Sequence, residues 1–347
     1  MSLLLTTLGN GMQVSGPDGT DTLTTMEFLG FDDVTIPVSG GTALTGGSLG
    51  DFTGDGRSDI LWRQPNGGIA EWQTDASGQL ASALSVGTTS TAWRIEGFGD
   101  FDGNGRSDIL FRNTDGSIAA WQTNASGQLV SAQLLGSAAT AWRVDGIGDF
   151  DGNGRSDILF RNVDGSIALW QTNAAGQLVS AQVLGSAATS WHVAGIGDFD
   201  GNGRSDILFR HVDGAVAVWQ TNAAGQLSSA QQIGTVASSW HVADVGDFDG
   251  NGRSDILFVN DNGSLALWQT NAAGQLASAL SLGDPGAQWH ESGTGDLNGD
   301  GCSDILWRND SGTVVEWLMN GAQVLSAQTL GSAPTDWEIS LHHFDLV

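Results

Sequence analysis

The stretch GDFDGNGRSDILFRN occupies residues 99–113, and the same letters return at residues 148–162. Copies with one changed residue lie at 197–211 and 246–260, and looser copies, GDFTGDGRSDILWRQ and GDLNGDGCSDILWRN, lie at 50–64 and 295–309. The first aspartate of each copy follows the previous one by 49 residues. A fixed period of this length is typical of repeat architectures, so we expect one ring-shaped or elongated domain rather than the two domains that length alone suggests.

One repeat, taken from Ala141 to Ser190, contains four apolar runs separated by short turns. The runs AWRVDGIGDF, ILFRN, SIALWQT and QLVSAQVLG are divided by the loop at 149–157 and by the turns VDG and NAAG. Short runs between Gly, Asn and Asp turns predict antiparallel hairpins, and four strands in ~40–50 residues match a propeller blade. Both faces of SIALWQT are apolar, so neighbouring sheets must cover both. We predict an all-β protein, a β-propeller of four-stranded antiparallel blades; a β-solenoid is disfavoured because its nonapeptide repeat is absent.

The Asp-rich loop carries oxygen side chains at its positions 1, 3, 5 and 9, with glycine at the sharp turn of position 6. This pattern predicts a shell for a hard cation, and calcium accepts six to eight oxygens in loose geometry, whereas magnesium demands a tighter octahedron. The absence of His and Cys ligands argues against zinc. The loop is not an EF-hand, because an aromatic residue stands at position 12 and a strand follows.

Six calcium sites are therefore predicted, one per loop. The side-chain ligands are Asp51, Thr53, Asp55 and Asp59; Asp100, Asp102, Asn104 and Asp108; Asp149, Asp151, Asn153 and Asp157; Asp198, Asp200, Asn202 and Asp206; Asp247, Asp249, Asn251 and Asp255; and Asp296, Asn298, Asp300 and Asp304. The residue at position 7 contributes its backbone carbonyl, and these residues are Arg57, Arg106, Arg155, Arg204, Arg253 and Cys302.

The charge of the chain points the same way. The formal charge is −27, and 18 of the 39 acidic residues lie in the six loops. Lysine is absent, and binding to nucleic acid or to anionic membranes requires clustered basic residues, so we expect neither partner. The single Cys302 cannot form an internal disulfide. No apolar stretch is long enough to span a membrane, and the start MSLLLTTLGNG lacks the basic region of a signal peptide.

The run D-x-D-G-N-G-x-x-D-I-L resembles the FG-GAP/VCBS repeat, the calcium-loop blade of integrin α-chain propellers and of many bacterial surface proteins. The resemblance extends from about Gly41 to the C-terminus and recurs in all six repeats. It implies a seven-bladed propeller with calcium between the first two strands of a blade, and functions in adhesion and ligand recognition. The shorter segment from Gly16 to Asp33 resembles the flank of calcium-binding repeats in exported bacterial proteins of the hemolysin type.

Six loops and seven implied blades require a closing blade without a loop. We expect residues 1–40 to supply strands that join the C-terminal run TDWEISLHHFD in this seventh blade, and residues 41–347 to form the six repeats of one propeller. A six-bladed ring with a separate N-terminal arm is the alternative.

Two tryptophan series recur with the repeat. We expect both to pack between blades, because large aromatic side chains repeated in every blade are typical of a core; a stacking platform for sugars is the alternative. The third-strand series is Trp72, Trp121, Trp170, Trp219, Trp268 and Trp317, and the series that opens each first strand is Trp93, Trp142, Trp191, Trp240, Trp289 and Trp337.

The sequence contains no recognisable catalytic motif such as G-x-S-x-G or a metalloprotease helix. We therefore expect a non-enzymatic, calcium-binding recognition or adhesion module of an exported bacterial protein, extracellular or at the cell surface, and monomeric. Its partner would be a protein or a glycan, without nucleic-acid binding or membrane insertion. A lectin with repeated equivalent sites and a purely structural spacer are the alternatives. The histidines lie at repeat-equivalent or terminal positions, and they are His192, His211, His241, His290, His342 and His343.

Overall fold

The computed structural model describes residues 4–8, 11–16, 19–23, 28–30, 35–37, 50–63 and 66–332, and every regular element within those ranges is a β-strand. Near the N-terminus, β1 (Leu4–Leu8), β2 (Gly11–Gly16) and β3 (Gly19–Leu23) form an antiparallel sheet, and β4 (Phe28–Gly30) pairs with β5 (Thr35–Pro37). The C-terminal run at 333–347 lies outside the described residues, so its pairing with residues 1–40 stays a prediction.

The remaining strands form six antiparallel sheets, which we number as blades in chain order. Five blades have four strands in the sequential order 1-2-3-4, and the described part of the first blade has three. The blades are β6 (Ile60–Arg63), β7 (Gly68–Thr74) and β8 (Leu80–Thr88); β9 (Trp93–Gly99), β10 (Asp108–Asn113), β11 (Ser117–Thr123) and β12 (Leu129–Ser137); β13 (Trp142–Gly148), β14 (Asp157–Asn162), β15 (Ser166–Thr172) and β16 (Leu178–Ser186); β17 (Trp191–Gly197), β18 (Asp206–His211), β19 (Ala215–Thr221) and β20 (Leu227–Thr235); β21 (Trp240–Gly246), β22 (Asp255–Asn260), β23 (Leu265–Thr270) and β24 (Leu276–Gly283); and β25 (Trp289–Gly295), β26 (Asp304–Asn309), β27 (Thr313–Asn320) and β28 (Gln323–Ser332).

Burial along a blade follows from the position of each strand in the ring. The first strands of successive blades contact one another at the centre. Second strands such as β14 are buried along most of their length because neighbouring blades cover both of their faces. Fourth strands such as β16 alternate half-buried and exposed residues, which is the pattern of a strand at the outer edge.

Antiparallel order divides the connections between two faces of the ring. The Asp-rich loops and the turns between third and fourth strands lie on one face, which we call the loop face. The turns between second and third strands and the connections between blades lie on the other, which we call the opposite face. Its tight turns require glycine: Gly165 has φ +90°, and a Cβ there would lie 2.2 Å from the carbonyl oxygen of Ala187.

The ring closes with six blades. The N–H of Ser58 in the first loop donates to the carbonyl of Asp296 in the sixth loop at 2.7 Å, and Trp62 of the first blade shares a buried cluster with Leu297 and Leu306 of the last. The seven-blade expectation is therefore wrong and the six-blade alternative is confirmed, because the first and last sheets pack directly on each other. Each other loop makes the same backbone bond to its predecessor, through Ser107–Asp51 (2.6 Å), Ser156–Asp100 (2.7 Å), Ser205–Asp149 (2.7 Å), Ser254–Asp198 (2.7 Å) and Ser303–Asp247 (2.6 Å).

The third-strand tryptophans pack in the core, as expected. Trp72 is fully buried, and its ring centroid lies 4.7 Å from that of Trp62 on the second strand. The same tilted pair recurs in the third blade, where Phe160 and Trp170 are 4.7 Å apart. Trp268 is also buried, and the other third-strand tryptophans are half-buried. The tryptophans that open the first strands of the described blades are half-buried too and pack against the same clusters, whereas Trp337 lies outside the described residues.

Truncation of a core tryptophan measures this packing. We expect Trp72→Ala to lower the free energy of unfolding by about 3–5 kcal/mol, because it empties a large buried volume. The control Val163→Ala should change it by less than ~0.5 kcal/mol, because Val163 is 77% exposed. Urea unfolding in calcium-containing buffer compares the two variants with the parent, and equal midpoints for all three would contradict the assignment of Trp72 to the core.

Candidate metal centres

Each Asp-rich loop joins the first strand of a blade to its second strand and turns sharply at two glycines. In the second blade, Gly103 and Gly105 have φ angles of +76° and +79°, a region that L side chains rarely adopt. A Cβ at Gly105 would meet open space, so only its backbone conformation requires glycine there. The two turns bring the side chains of positions 1, 3, 5 and 9 to one side of the loop.

The aspartate at position 1 holds the loop backbone together. In the third blade, Oδ1 of Asp149 accepts hydrogen bonds from the N–H groups of Gly152 (2.8 Å) and Asn153 (3.0 Å), and Oδ2 accepts from Gly154 at 2.7 Å. Because each carboxylate oxygen has two lone pairs, these contacts leave acceptor capacity for a cation.

The aspartate at position 9 is the buried end of the site. Asp157 is fully buried, and its Oδ1 accepts the N–H of Thr172 on the third strand at 3.1 Å. Burial raises the pKa of Asp157 to about 8. The hydrogen bond from the N–H of Thr172 lowers this pKa, whereas the nearby charges of Asp151 and Asp149 raise it further. The equivalent carboxyls behave alike: burial raises the pKa of Asp59, Asp108, Asp206, Asp255 and Asp304 to about 7.

Four of the predicted sites gather three carboxylates. In each, one oxygen from every member lies within 4.8 Å of the others, and the position-9 member is buried. These triads are Asp100, Asp102 and Asp108; Asp149, Asp151 and Asp157; Asp198, Asp200 and Asp206; and Asp247, Asp249 and Asp255.

The donor set fits a hard divalent cation. The loop oxygens also accept backbone N–H groups: in the second blade Oδ2 of Asp108 accepts that of Phe101 at 3.2 Å, and Oδ1 of Asn104 accepts that of Arg106 at 2.9 Å. Each of these oxygens keeps a second lone pair for a cation. Carboxylate and amide oxygens in a flexible loop match the preference of calcium.

The first and sixth loops do not form such a triad among the described residues. Thr53 and Asn298 stand at position 3, where the other loops have aspartate. Asp55 forms an ion pair with Arg57, and Oδ2 of Asp300 accepts Nδ2 of Asn298 at 3.0 Å, so both position-5 carboxylates are engaged within their loops.

The position-7 residues have a second role. The side chain of Arg155 bonds the carbonyl of Thr172 through Nε at 3.4 Å, and its Cγ lies 3.1 Å from where a Cβ would stand at Gly103 of the previous loop. The arginines therefore pack each loop on its neighbour. The inward orientation of the position-7 carbonyls, including that of Cys302, stays a prediction.

Sequence reasoning missed the glutamine that holds the position-3 aspartate. Nε2 of Gln171 donates to Oδ2 of Asp151 at 2.7 Å. The signal was the letters WQT, which recur in the first five repeats, whereas the last repeat reads WLM. In the first blade Gln73 bonds the buried Glu71 instead at 2.7 Å. The bond from the glutamine to the position-3 aspartate recurs in the second, fourth and fifth blades, as Gln122–Asp102 (3.1 Å), Gln220–Asp200 (2.8 Å) and Gln269–Asp249 (2.8 Å).

Comparison with known proteins identifies the repeats. The family described as FG-GAP-like repeat matches residues 51–111, 100–160, 149–209, 198–258 and 247–307. Curated proteins give no match. Among the matching solved structures, the Photorhabdus luminescens Tc holotoxin pore has a TM-score of 0.57 and 15% sequence identity; the match covers 93% of this chain and 17% of that chain. At this identity the likeness shows the fold alone.

Protons and cations compete for the position-9 carboxyls, which makes stability depend on pH. The pKa values of these carboxyls are about 7 to 8 in the folded protein and near ~3.9 in the unfolded chain. The protonated carboxyls therefore add to the free energy of unfolding at low pH, and this contribution is lost as pH rises through the folded pKa. For protein stripped of cations on a chelating resin, we expect the melting temperature to fall between about pH 5 and pH 8.

Saturating calcium at matched ionic strength should remove much of this fall, because the cation replaces the proton. Subtracting the melting temperatures with calcium from those without calcium at each pH leaves the contribution of the loop carboxyls, because the other titrating groups contribute equally to both curves. Parallel curves with and without calcium would contradict this linkage.

Proposed function

This chain belongs to the FG-GAP-like repeat family, and we propose that it is a calcium-binding, non-enzymatic recognition module of an exported bacterial protein. The observation that carries the proposal is the set of four carboxylate triads, each with a fully buried member. Extracellular calcium modules bind with Kd values of about 0.1–1 mM, so such sites fill outside the cell and not inside it. The strongly acidic charge of −27 favours cation binding and disfavours polyanionic partners.

The opposite face supports recognition because the repeats diverge there. The loops on the loop face are nearly identical, whereas the residue after the first-strand tryptophan changes around the ring. A face whose residues vary on a fixed scaffold is suited to a specific partner, a protein or a glycan. The residues in question are Arg94, Arg143, His192, His241 and His290. The described part of the chain offers no helical segment with the length and hydropathy of a membrane crossing.

One hydrogen-bonded chain on the opposite face has the residue types of a hydrolase triad. Nε2 of His211 lies 2.9 Å from Oγ of Ser190, and Nδ1 lies 2.7 Å from Oδ1 of Asp213. In the next repeat Nδ2 of Asn260 makes the same contact with Oγ of Ser239 at 3.1 Å. This contact to serine therefore forms even where an amide replaces the imidazole base, and in both repeats it joins the turn after the second strand to the connection between blades. We assign it a structural role.

The non-enzymatic assignment is tested with ester and glycoside substrates. We expect the purified propeller to hydrolyse p-nitrophenyl esters and glycosides no faster than buffer, because the equivalent contact of Ser239 with Asn260 forms without a base and so favours a structural role for the contact of Ser190 with His211. Hydrolysis that disappears in Ser190→Ala and persists in Ser239→Ala would contradict the assignment.

Calcium binding is tested by thermal melting and by metal analysis. Each filled site stabilises the fold by about 1.4–2.7 kcal/mol when calcium exceeds its Kd by about 10- to 100-fold, so millimolar calcium should raise the melting temperature well above the value in EDTA. Magnesium should have a much smaller effect, because it demands near-octahedral geometry and dehydrates reluctantly.

A pair of variants in the third blade isolates one site. Asp151→Asn removes a loop carboxylate and should lower the calcium bound per chain by one ion, measured by elemental analysis after dialysis. Asp164→Asn is the matched control, because Asp164 is an exposed turn residue that only accepts the N–H of Ser166 at 2.8 Å. Equal calcium content in both variants would sink the assignment of that loop.

A further inference from the structure

The opposite face contains one departure from the repeat that changes its shape. In five repeats an arginine stands at or next to the end of the second strand, and the fifth blade has Val259 there. In the first four blades this arginine donates to backbone carbonyls of the connection to the next blade: Nη2 of Arg161 donates to the carbonyl of Ala188 at 3.1 Å, and Nη2 of Arg210 donates to that of Ala237 at 3.2 Å. The arginines are Arg63, Arg112, Arg161, Arg210 and Arg308.

A cavity of about 790 Å³ lies over the fifth blade, where Val259 is shorter than the arginine of the other repeats, and it extends to the fourth and the sixth blades. Val259 and the buried Leu265 belong to its lining. The connection above it does not need the missing arginine, because Oδ1 of Asp284 accepts the N–H of Gly286 at 2.7 Å and closes that turn. The volume falls in the ~300–1,000 Å³ range of small-molecule sites.

Three tryptophans line this cavity. Trp307 is buried, whereas Trp240 and Trp289 are half-buried, and each of these two packs on a buried cluster shared with the preceding blade while also contributing surface to the cavity. A tryptophan held in this way presents a rigid apolar surface.

Histidine and aspartate side chains line the cavity. Nε2 of His241 lies 2.7 Å from Oδ1 of Asp261, and both residues belong to the lining. His290 also belongs to the lining, and its Nε2 lies 2.7 Å from Oδ1 of Asp310, which is not part of it. The side chains of Asp261 and His290 are 65% and 62% exposed, so both are accessible to a ligand. In the third and fourth repeats the equivalent of Asp261 is valine, and the fourth blade contributes His192 and His211 to the lining.

These walls select the chemistry of the ligand. Asp261 in the lining opposes an anion, and Arg210, which also lines the cavity, is engaged with the backbone carbonyls of Ala237 and Trp240. A purely apolar ligand would leave the exposed carboxylates and imidazoles unused. A sugar ring combines an apolar C–H face, which packs on tryptophan, with hydroxyls that both donate to carboxylates and accept from imidazole N–H groups.

We propose that the cavity around Val259 is a binding site for a neutral saccharide, with Trp240 and Trp289 packing on the sugar and with His241, Asp261 and His290 bonding its hydroxyls. The proposal rests on the proposed recognition function and names its ligand class and its site. It differs from a lectin with equivalent sites in every repeat, because only the fifth blade lacks the arginine that fills the space.

The proposal is tested by restoring the arginine at position 259. Val259→Arg introduces the residue that the five other repeats carry, so the fold should tolerate it while the cavity fills. Val163→Arg is the matched control, because it adds the same charge to an exposed position on the same face outside the cavity. Binding is measured in calcium on an array of immobilised neutral and acidic oligosaccharides, and the strongest neutral glycan is then titrated into parent and variants.

We expect the parent and Val163→Arg to bind alike, and Val259→Arg to bind at least about 10-fold more weakly with an unchanged melting temperature. If Val259→Arg misfolds, Asp261→Asn replaces it and should weaken binding to a similar extent. Equal binding by the parent and Val259→Arg would overturn the site. Preference for acidic glycans, or no glycan binding by a protein that still melts higher in calcium, would overturn the ligand class and leave the calcium-dependent scaffold intact.

Discussion

The buried aspartate at position 9 is the constraint on which the rest of the structure depends. In every loop its Oδ1 accepts a backbone N–H from the third strand of its own blade, at 2.9–3.2 Å, so the carboxylate joins the loop to the middle of the sheet. The residue before it donates its N–H to the previous loop, so the same short segment also joins successive blades. A carboxylate in this buried place is costly unless a proton or a cation neutralises it. A cation bound by this carboxylate would therefore act at the point where strand, sheet and ring meet.

This constraint explains why the two faces of the ring differ. The loops must match their neighbours to keep the closed circle of backbone bonds from Ser58 to Asp296, so their sequence hardly varies. The opposite face also carries recurring backbone bonds between turns and connections, such as those from Val163 N–H to the carbonyl of Ala141 and from Ala187 N–H to that of Gly165, but its side chains vary more from repeat to repeat. At Val259, which has valine in place of arginine, a cavity lies beside a sheet that keeps its register.

Much of this could be predicted from the sequence, because the repeat carries it. The 49-residue period, the glycine turns and the alternate oxygens predicted the four-stranded blades and six oxygen-lined loops, and four of these loops gather a carboxylate triad. The number of blades could not be predicted, since closure depends on whether the first and last sheets meet, and only the contact between Ser58 and Asp296 decides it. The engagement of Asp55 with Arg57 could not be read from spacing either. The cavity required knowing where the guanidinium of Arg161 lies in an ordinary repeat.

The most direct test of the central claim is a crystal structure grown in calcium and measured at a long X-ray wavelength, where calcium scatters anomalously. The account predicts anomalous peaks in the loops of the second to fifth blades, each within bonding distance of the position-1, position-3 and position-9 carboxylates. Ordered water without anomalous signal in those four loops would contradict it. In that case the loops would be turns held only by their own hydrogen bonds, with the buried aspartates neutralised by protons.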